Sequence, residues 1–223
     1  AAPSCGGISD RYNANALQNN TVGDGASLSA IACPILFLSP ANDFHGRVND
    51  LPTAVEEIRS SDWRITSAPH HNHQDTAEYE VAAQLWFDQY LKGTFQFPQT
   101  PALQLDLRAA GGVPTALVQV DSSKPIRSVD IYYTQQGQPD GAKDDRNNTM
   151  NRFWRHASAT QQGGAWAFDL PLASIDRPLW VYANVTYALE APVSTAGYYY
   201  AVRTTDQFVL SSLVQMVPPE QLV

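Results

Sequence analysis

The stretch from Cys33 to His73 constrains this chain most, because it sets an acid and a histidine after two successive short apolar runs. Pro34-Ile35-Leu36-Phe37-Leu38-Ser39-Pro40 is a continuous apolar segment closed by turn residues, the pattern of a buried strand in a parallel sheet. Ala41-Asn42-Asp43 follows directly, so Asp43 is expected on a loop at the carboxyl edge of that sheet. Pro52 to Ser60 reads as a short helix, Trp63 to Ser67 as the next strand, and Pro69-His70-His71-Asn72-His73 as the loop after it. The order strand, acid, helix, strand, histidine therefore predicts that Asp43 and His73 emerge at the same rim. A carboxylate beside an imidazole fixes the tautomer and stabilises the imidazolium, and the free ring nitrogen can then take a proton from a hydroxyl nucleophile.

The clearest helix runs from Thr76 to Lys92. Thr76 can cap it, Glu78 and Glu80 suit its positive end, Val81, Leu85, Trp86 and Tyr90 recur on one sheet-facing side, and Gly93 supplies a left-handed stop. Trp86 and Phe87 read as helix packing. Residues 8 to 30 are polar and rich in Gly and Asn, which predicts a loop with a short helix around Asn13 to Gln18.

Near residue 98 the pattern changes to short strands of period two: Leu103, Leu105, Leu107; Val129, Ile131, Tyr133; Trp166, Phe168, Leu170; and Leu179, Val181, Ala183, Val185. About seven such strands, each burying one face, predict a β-sandwich of immunoglobulin or fibronectin type. The fold class expected is thus α/β plus all-β, with a partial parallel sheet over residues 1–98, a sandwich over 99–212, and a linker or tail at 213–223. Gly111-Gly112 reads as a hairpin turn. Tyr132, Trp154, Trp180, Tyr182 and Tyr198 to Tyr200 are expected on an outer face of the sandwich, where they would pack against the first region in preference to stacking on sugar rings.

Composition removes several function classes. With 14 Lys+Arg against 22 Asp+Glu the formal net charge is −8, which disfavours a nucleic-acid partner. No apolar run approaches the roughly 20 residues that span a bilayer, and no basic, apolar leader opens the sequence, so neither a membrane anchor nor a signal peptide is expected. Cys5 and Cys33 lack metal-site spacing and are expected at opposite edges of the sheet as buried free thiols. Low charge with abundant Gln, Asn, Ser and Thr favours a secreted or periplasmic protein. The glycosylation tripeptides at Asn19, Asn147 and Asn184 are patterns that also arise by chance.

The segments Ala1-Ala2-Pro3-Ser4-Cys5-Gly6-Gly7, Cys33 to Leu38 with Asn42-Asp43, and Asn72-His73 with Leu85-Trp86-Phe87-Asp88-Gln89-Tyr90-Leu91-Lys92-Gly93 resemble the C-terminal half of bacterial, planctomycete-type dienelactone hydrolase-like esterases. That group is allied to acetyl xylan esterases and prolyl oligopeptidase-type α/β hydrolases. The resemblance covers residues 1–98 and continues into the β-rich region. It implies that Asp43 is the triad acid and His73 the general base of a serine carboxylic-ester hydrolase that needs no cofactor. It also implies that the nucleophilic serine and the oxyanion donors lie upstream, in an N-terminal hydrolase half or a partner chain that completes the sheet. The implied substrate is an ester, carbohydrate-linked in the allied enzymes. Without the nucleophile half this polypeptide is expected to be inactive.

Other candidates weigh less. Ala2-Pro3-Ser4-Cys5-Gly6 imitates a Gly-x-Ser-x-Gly turn, but Ser4 precedes Gly-Gly and polar residues where a helix is needed, and Pro3 burdens a strained elbow. Asp75 follows the histidine too closely to be the acid, and Asp50 reads as a helix-start residue. His45, His70, His71 and His73 lack the companions of a metal site. Asp140, Asp144 and Asp145 read as a solvated loop and not a calcium site. A second class of function also fits the sequence: a non-catalytic interaction or glycan-binding scaffold on an esterase-derived core.

Overall fold

Strand β1 (Ile35–Leu38) is buried along its whole length, as its unbroken apolar run requires. It pairs in parallel with β2 (Trp63–Thr66), Ile35 opposite Trp63 and Leu38 opposite Thr66. The computed structural model describes residues 1–2, 28–43, 47–109, 112–137, 149–196 and 202–222. Ser4, Cys5, the Asn13 to Gln18 helix, Asn19, His45, Gly111, Asp140, Asp144, Asp145, Asn147 and Tyr198 to Tyr200 lie outside these residues. On the far side of β1, Leu36 donates its N–H to the Ala1 carbonyl at 3.0 Å and the Ala1 ammonium donates to the Pro34 carbonyl at 2.7 Å. Ala1 thereby occupies a parallel ladder position beside β1.

The two faces of β1 serve two helices. Ile35 and Phe37 join Ile65 in packing on Leu51, Ala54 and Ile58, which fall along one side of α1 (Arg47–Glu57) and just past its end. Leu36 and Leu38 pack in the cluster that holds Tyr79, Val81, Ala82, Leu85 and Trp86 of α2 (Ala77–Phe87). Helix α1 begins five residues before the expected Pro52, which sits inside it. Pro52 is the sixth residue of the helix, past the N–H groups that lack an intrahelical partner, so the helix continues through it without a bond to the Val48 carbonyl. Thr76 caps α2 as expected, its hydroxyl accepting from the Tyr79 N–H at 3.4 Å. A π-helical turn follows over Asp88–Lys92 and ends at Gly93, whose φ of 66° is the expected left-handed stop. The wider turn changes the phase of the helical face, leaving Tyr90 at the surface against Trp86 with its hydroxyl on Asp62. Phe87, expected in the packing, is exposed.

The remaining strands are antiparallel. β3 (Ala102–Asp106), β4 (Thr115–Gln119), β7 (Thr160–Gln162) and β8 (Ala165–Asp169) form one sheet in the order β3-β4-β8-β7. β5 (Ile126–Thr134), β6 (Arg155–Ser158), β9 (Leu179–Ala196) and β10 (Val202–Ser211) form another in the order β10-β9-β5-β6, with β11 (Gln215–Val217) also on β9. The architecture is thus mixed α/β, one parallel pair with two larger antiparallel sheets. Gly112, at φ 72°, lies in the β3 to β4 turn.

Strand β9 departs from the expected one-sided burial. Leu179, Val181, Ala183 and Val185 join Val129, Ile131 and Tyr133 of β5 and Leu103, Ala116 and Val118 of the four-stranded sheet in the same cluster as Leu36, Leu38 and α2. Its alternate side chains Trp180 and Tyr182 pack with Trp154, Tyr132 and Val214 on Ala41 and Val48, which flank the loop after β1. The described aromatics expected on an outer face therefore pack against the first region. A ring of polar contacts continues that face: Asn184 donates to the Ser67 carbonyl at 3.1 Å, Ser211 donates to Asn184 Oδ1 at 2.6 Å, and the Ser67 N–H donates to Ser211 Oγ at 2.7 Å. Burial of Asn184 makes its glycosylation tripeptide a structural coincidence.

Two further expectations change. Residues 213–223 are expected as a linker or tail; the described part, 213–222, carries β11 and buries Val214, Val217 and Leu222, because Gln215–Val217 pairs with Leu179–Val181 of β9. Cys33, expected buried, is exposed, since it precedes β1 where the chain enters the sheet from the surface.

Replacing Asn184 with Leu leaves the Ser67 carbonyl without its donor and the Ser211 hydroxyl without its acceptor, at a cost of about 2–4 kcal/mol in urea unfolding; a change under about 0.5 kcal/mol would show the ring to be dispensable. Burial and neighbouring acids push Tyr90 and Tyr132 up to about 12, and burial raises Tyr182 and Tyr187 well above 10.0. Because the folded state holds these phenols protonated, their contribution is intact below pH 10 and is lost as pH rises towards 12. Phenolate absorbance should therefore rise together with loss of circular dichroism, and phenolates forming near pH 10 in a protein that keeps its dichroism would refute this.

Candidate active site

The parallel pairing of β1 and β2 continues past both strands. Ser39 N–H donates to the Thr66 carbonyl, Ala41 N–H to the Ala68 carbonyl and Asn42 N–H to the His71 carbonyl, each at 3.0 Å. This ladder carries the acid loop and the histidine loop to one rim in step. Asp43 Oδ2 and His73 Nδ1 lie 3.0 Å apart, so the imidazole donates its Nδ1 proton to the carboxylate. The Asp43 side chain is fully buried and the His73 side chain is 41 % exposed, an asymmetry that anchors one partner and opens the other to solution. The Asp43 N–H donates to the Pro40 carbonyl at 3.4 Å, and the His73 N–H to Asn72 Oδ1 at 2.7 Å.

The neighbouring histidines are placed differently. His71 donates from Nδ1 to the Pro69 carbonyl at 2.8 Å, and His70 adopts a left-handed φ of 60° with its ring 5.6 Å from that of Phe153. A non-glycine residue there stores about 1 kcal/mol of strain that the surroundings must hold. Asp50 lies in the first turn of α1, as expected of a helix-start residue. Among the described residues no group of three or more His, Cys, Asp or Glu is arranged to hold a metal ion. Nor does any strand-to-helix turn among them present a serine as a nucleophile elbow does.

Sequence patterns did not reveal what holds the acid loop in place. Asn42 Nδ2 donates to the carbonyls of Arg152 at 2.6 Å, Thr149 at 3.1 Å and Met150 at 3.5 Å, reaching more than a hundred residues along the chain. Arg152 is buried, donates to Asn49 Oδ1 at 2.8 Å, and lies over the Trp180 ring at 4.3 Å. Burial pushes its guanidinium down to about 9, which leaves it a cation at neutral pH. Asparagine beside a turn aspartate is common in loops, and nothing in the spacing of residues 149–152 marks them as its partners.

A second His and Asp pair lies on β5 and β6. His156 Nε2 is 2.9 Å from Asp130 Oδ1, with hydroxyls of Ser158 and Ser128 donating to the same carboxylate at 2.8 and 2.7 Å and the Tyr132 ring stacked on the imidazole. Burial alone would raise the Asp130 carboxyl; the hydrogen bonds from Ser128, His156 and Ser158 outweigh it and hold the group below its usual range. Cross-strand register explains this pair, since Asp130 faces Ser158 and Tyr132 faces His156.

No protein-family model, no curated protein sequence and no solved structure matches this chain. No helix among the described residues is long and apolar enough to cross a membrane.

Replacing Asn42 with Ala strips two buried carbonyls, those of Thr149 and Arg152, and the part-buried Met150 carbonyl of a donor. The expected cost is about 2–4 kcal/mol in urea unfolding, together with faster amide exchange at residues 149–153. Unchanged exchange in that segment would show that the loop is held by other means.

Proposed function

We propose that Asp43 and His73 are the acid and general base of a serine carboxylic-ester hydrolase. The observation that carries this reading is the 3.0 Å contact between Asp43 Oδ2 and His73 Nδ1, made by loops that follow two paired parallel strands. The parallel pair with α1 and α2 is then part of an α/β-hydrolase sheet, and the antiparallel sheets are an immunoglobulin- or fibronectin-like sandwich built against it. The serine and the oxyanion donors come from polypeptide outside the described residues, in an N-terminal hydrolase half or a partner chain. Export to the periplasm or beyond suits the low charge of the surface, and the resemblance to dienelactone hydrolase-like and acetyl xylan esterases supports an ester substrate.

In this reading His73 Nε2 takes the serine proton as the oxygen attacks the acyl carbon. Asp43, buried and accepting from Nδ1, stabilises the imidazolium that forms. The imidazolium then gives that proton to the departing alcohol, leaving an acyl-serine. Water enters, loses a proton to Nε2 and attacks the same carbon; the serine oxygen recovers the proton as the acid leaves. General-base assistance of this kind is worth about 10²- to 10⁴-fold.

The test uses the protein isolated with whatever chain accompanies it. A fluorophosphonate probe should label one serine, located by intact mass and peptide mapping, and the protein should hydrolyse 4-nitrophenyl acetate. His73→Ala and Asp43→Asn should each lower kcat by about 10³- to 10⁴-fold while preserving circular dichroism. Absence of both labelling and hydrolysis, or full activity in His73→Ala, would overturn the proposal.

A further inference from the structure

The segment that braces the acid loop also carries two large apolar side chains that the fold does not bury. Phe153 is 65 % exposed and Met150 46 % exposed, although both sit on a turn whose backbone is fixed by the Asn42 amide. The Arg152 N–H donates to the Thr149 carbonyl at 3.2 Å, closing the turn, and the Phe153 N–H donates to Gln136 Oε1 at 2.5 Å. Phe153 is therefore an exposed ring on a hydrogen-bonded turn. Its ring lies 5.6 Å from that of His70, three residues before His73 in the same loop and itself in a left-handed conformation. Asn42, which holds the turn, is the residue before Asp43. The turn thus touches both arms of the pair, through Asn42 on the acid side and His70 on the histidine side.

An exposed phenylalanine contributes little to folding, and a rigid apolar surface beside polar groups is what small-molecule sites present. The other large aromatics of this face, Trp154, Trp180 and Tyr182, are buried in packing, which leaves Phe153 and Met150 as its apolar contact surface among the described residues. Neither side chain carries charge, so the group they accept is uncharged and apolar.

We infer that Met150 and Phe153 form a specificity subsite at the loop that carries His70 and His73, one that receives the apolar aryl or alkyl group of an ester. This rests on the hydrolase reading above. The antiparallel half of the chain then supplies substrate selection to a pair positioned by the parallel half. The subsite favours esters with an aromatic group next to the scissile bond over esters of equal reactivity that lack one.

The test compares 1-naphthyl acetate with methyl acetate as substrates and measures 1-naphthol binding by fluorescence, using the protein with its accompanying chain. Phe153→Ala should lower kcat/KM for 1-naphthyl acetate about tenfold, mainly through KM, and weaken 1-naphthol binding by a similar factor. Hydrolysis of methyl acetate should change less than about twofold. Phe153→Leu should recover most of the loss, and Met150→Ala should show a smaller effect of the same sign. Equal effects on both esters, or 1-naphthol binding indifferent to Phe153, would overturn the subsite. Phe153-dependent binding of 1-naphthol without hydrolysis of either ester would support the subsite and count against the hydrolase reading alone.

Discussion

The free edge of β2 is the constraint around which the rest is arranged. A parallel strand with a neighbour on one side leaves peptide groups on the other that must be satisfied once buried. Just past the end of β2, at Ser67, side chains take that place, and the Thr66 hydroxyl of the strand itself reaches the facing sheet. Ser211 accepts the Ser67 N–H, Asn184 donates to the Ser67 carbonyl, and Thr66 Oγ1 donates to the Val209 carbonyl at 2.9 Å. Asn184 and Ser211 lie opposite each other across β9 and β10, so the five-stranded sheet brings both polar groups to the edge in one register. Each such contact is worth only about 1 kcal/mol net, but leaving any one group buried and unpaired costs more.

From that junction the acid loop is held by two independent means. The extended parallel ladder sets its backbone through Ala41 and Asn42, and the Asn42 side chain ties it to the turn at 149–152. Asp43 is buried between these restraints while His73 stays half open. A carboxylate held this firmly needs no reorganisation when charge develops on the imidazole, which is the physical basis of electrostatic preorganisation. The Asp130 and His156 pair lies on the face of the five-stranded sheet. Its carboxylate is occupied by two serine hydroxyls as well as the imidazole, the arrangement of a satisfied surface network.

Local patterns announced some of this and not the rest. The unbroken apolar run at residues 35–38 marks a strand buried on both faces, Thr76 and Gly93 mark the ends of a helical stretch, and the strand order points Asp43 and His73 to one rim. What local pattern could not convey was the second duty of β9. The alternation Leu-Trp-Val-Tyr-Ala-Asn-Val looks like one apolar and one outward aromatic face, and only the tertiary arrangement shows that Trp180, Tyr182 and Asn184 point into a second interior. The same limit explains the tail. Gln215-Met216-Val217 is too short to declare itself a strand without the stretch of β9 that it pairs with. The Asn42 amide was equally hidden, because its partners are distant in sequence and are backbone carbonyls that any residue could provide.

The eighteen residues of β9 belong to two interiors at once, one with the four-stranded sheet and one with the loop after β1. Such a strand acts as a party wall: neither room stands if it is removed. The two parts of this chain are therefore not interchangeable modules in inheritance. A recombination near residue 98 that brought in a foreign all-β partner would strand Ala41, Val48 and the Ser67 peptide against whatever surface arrived, unless that surface carried its own aromatic and amide counterparts at the same spacing.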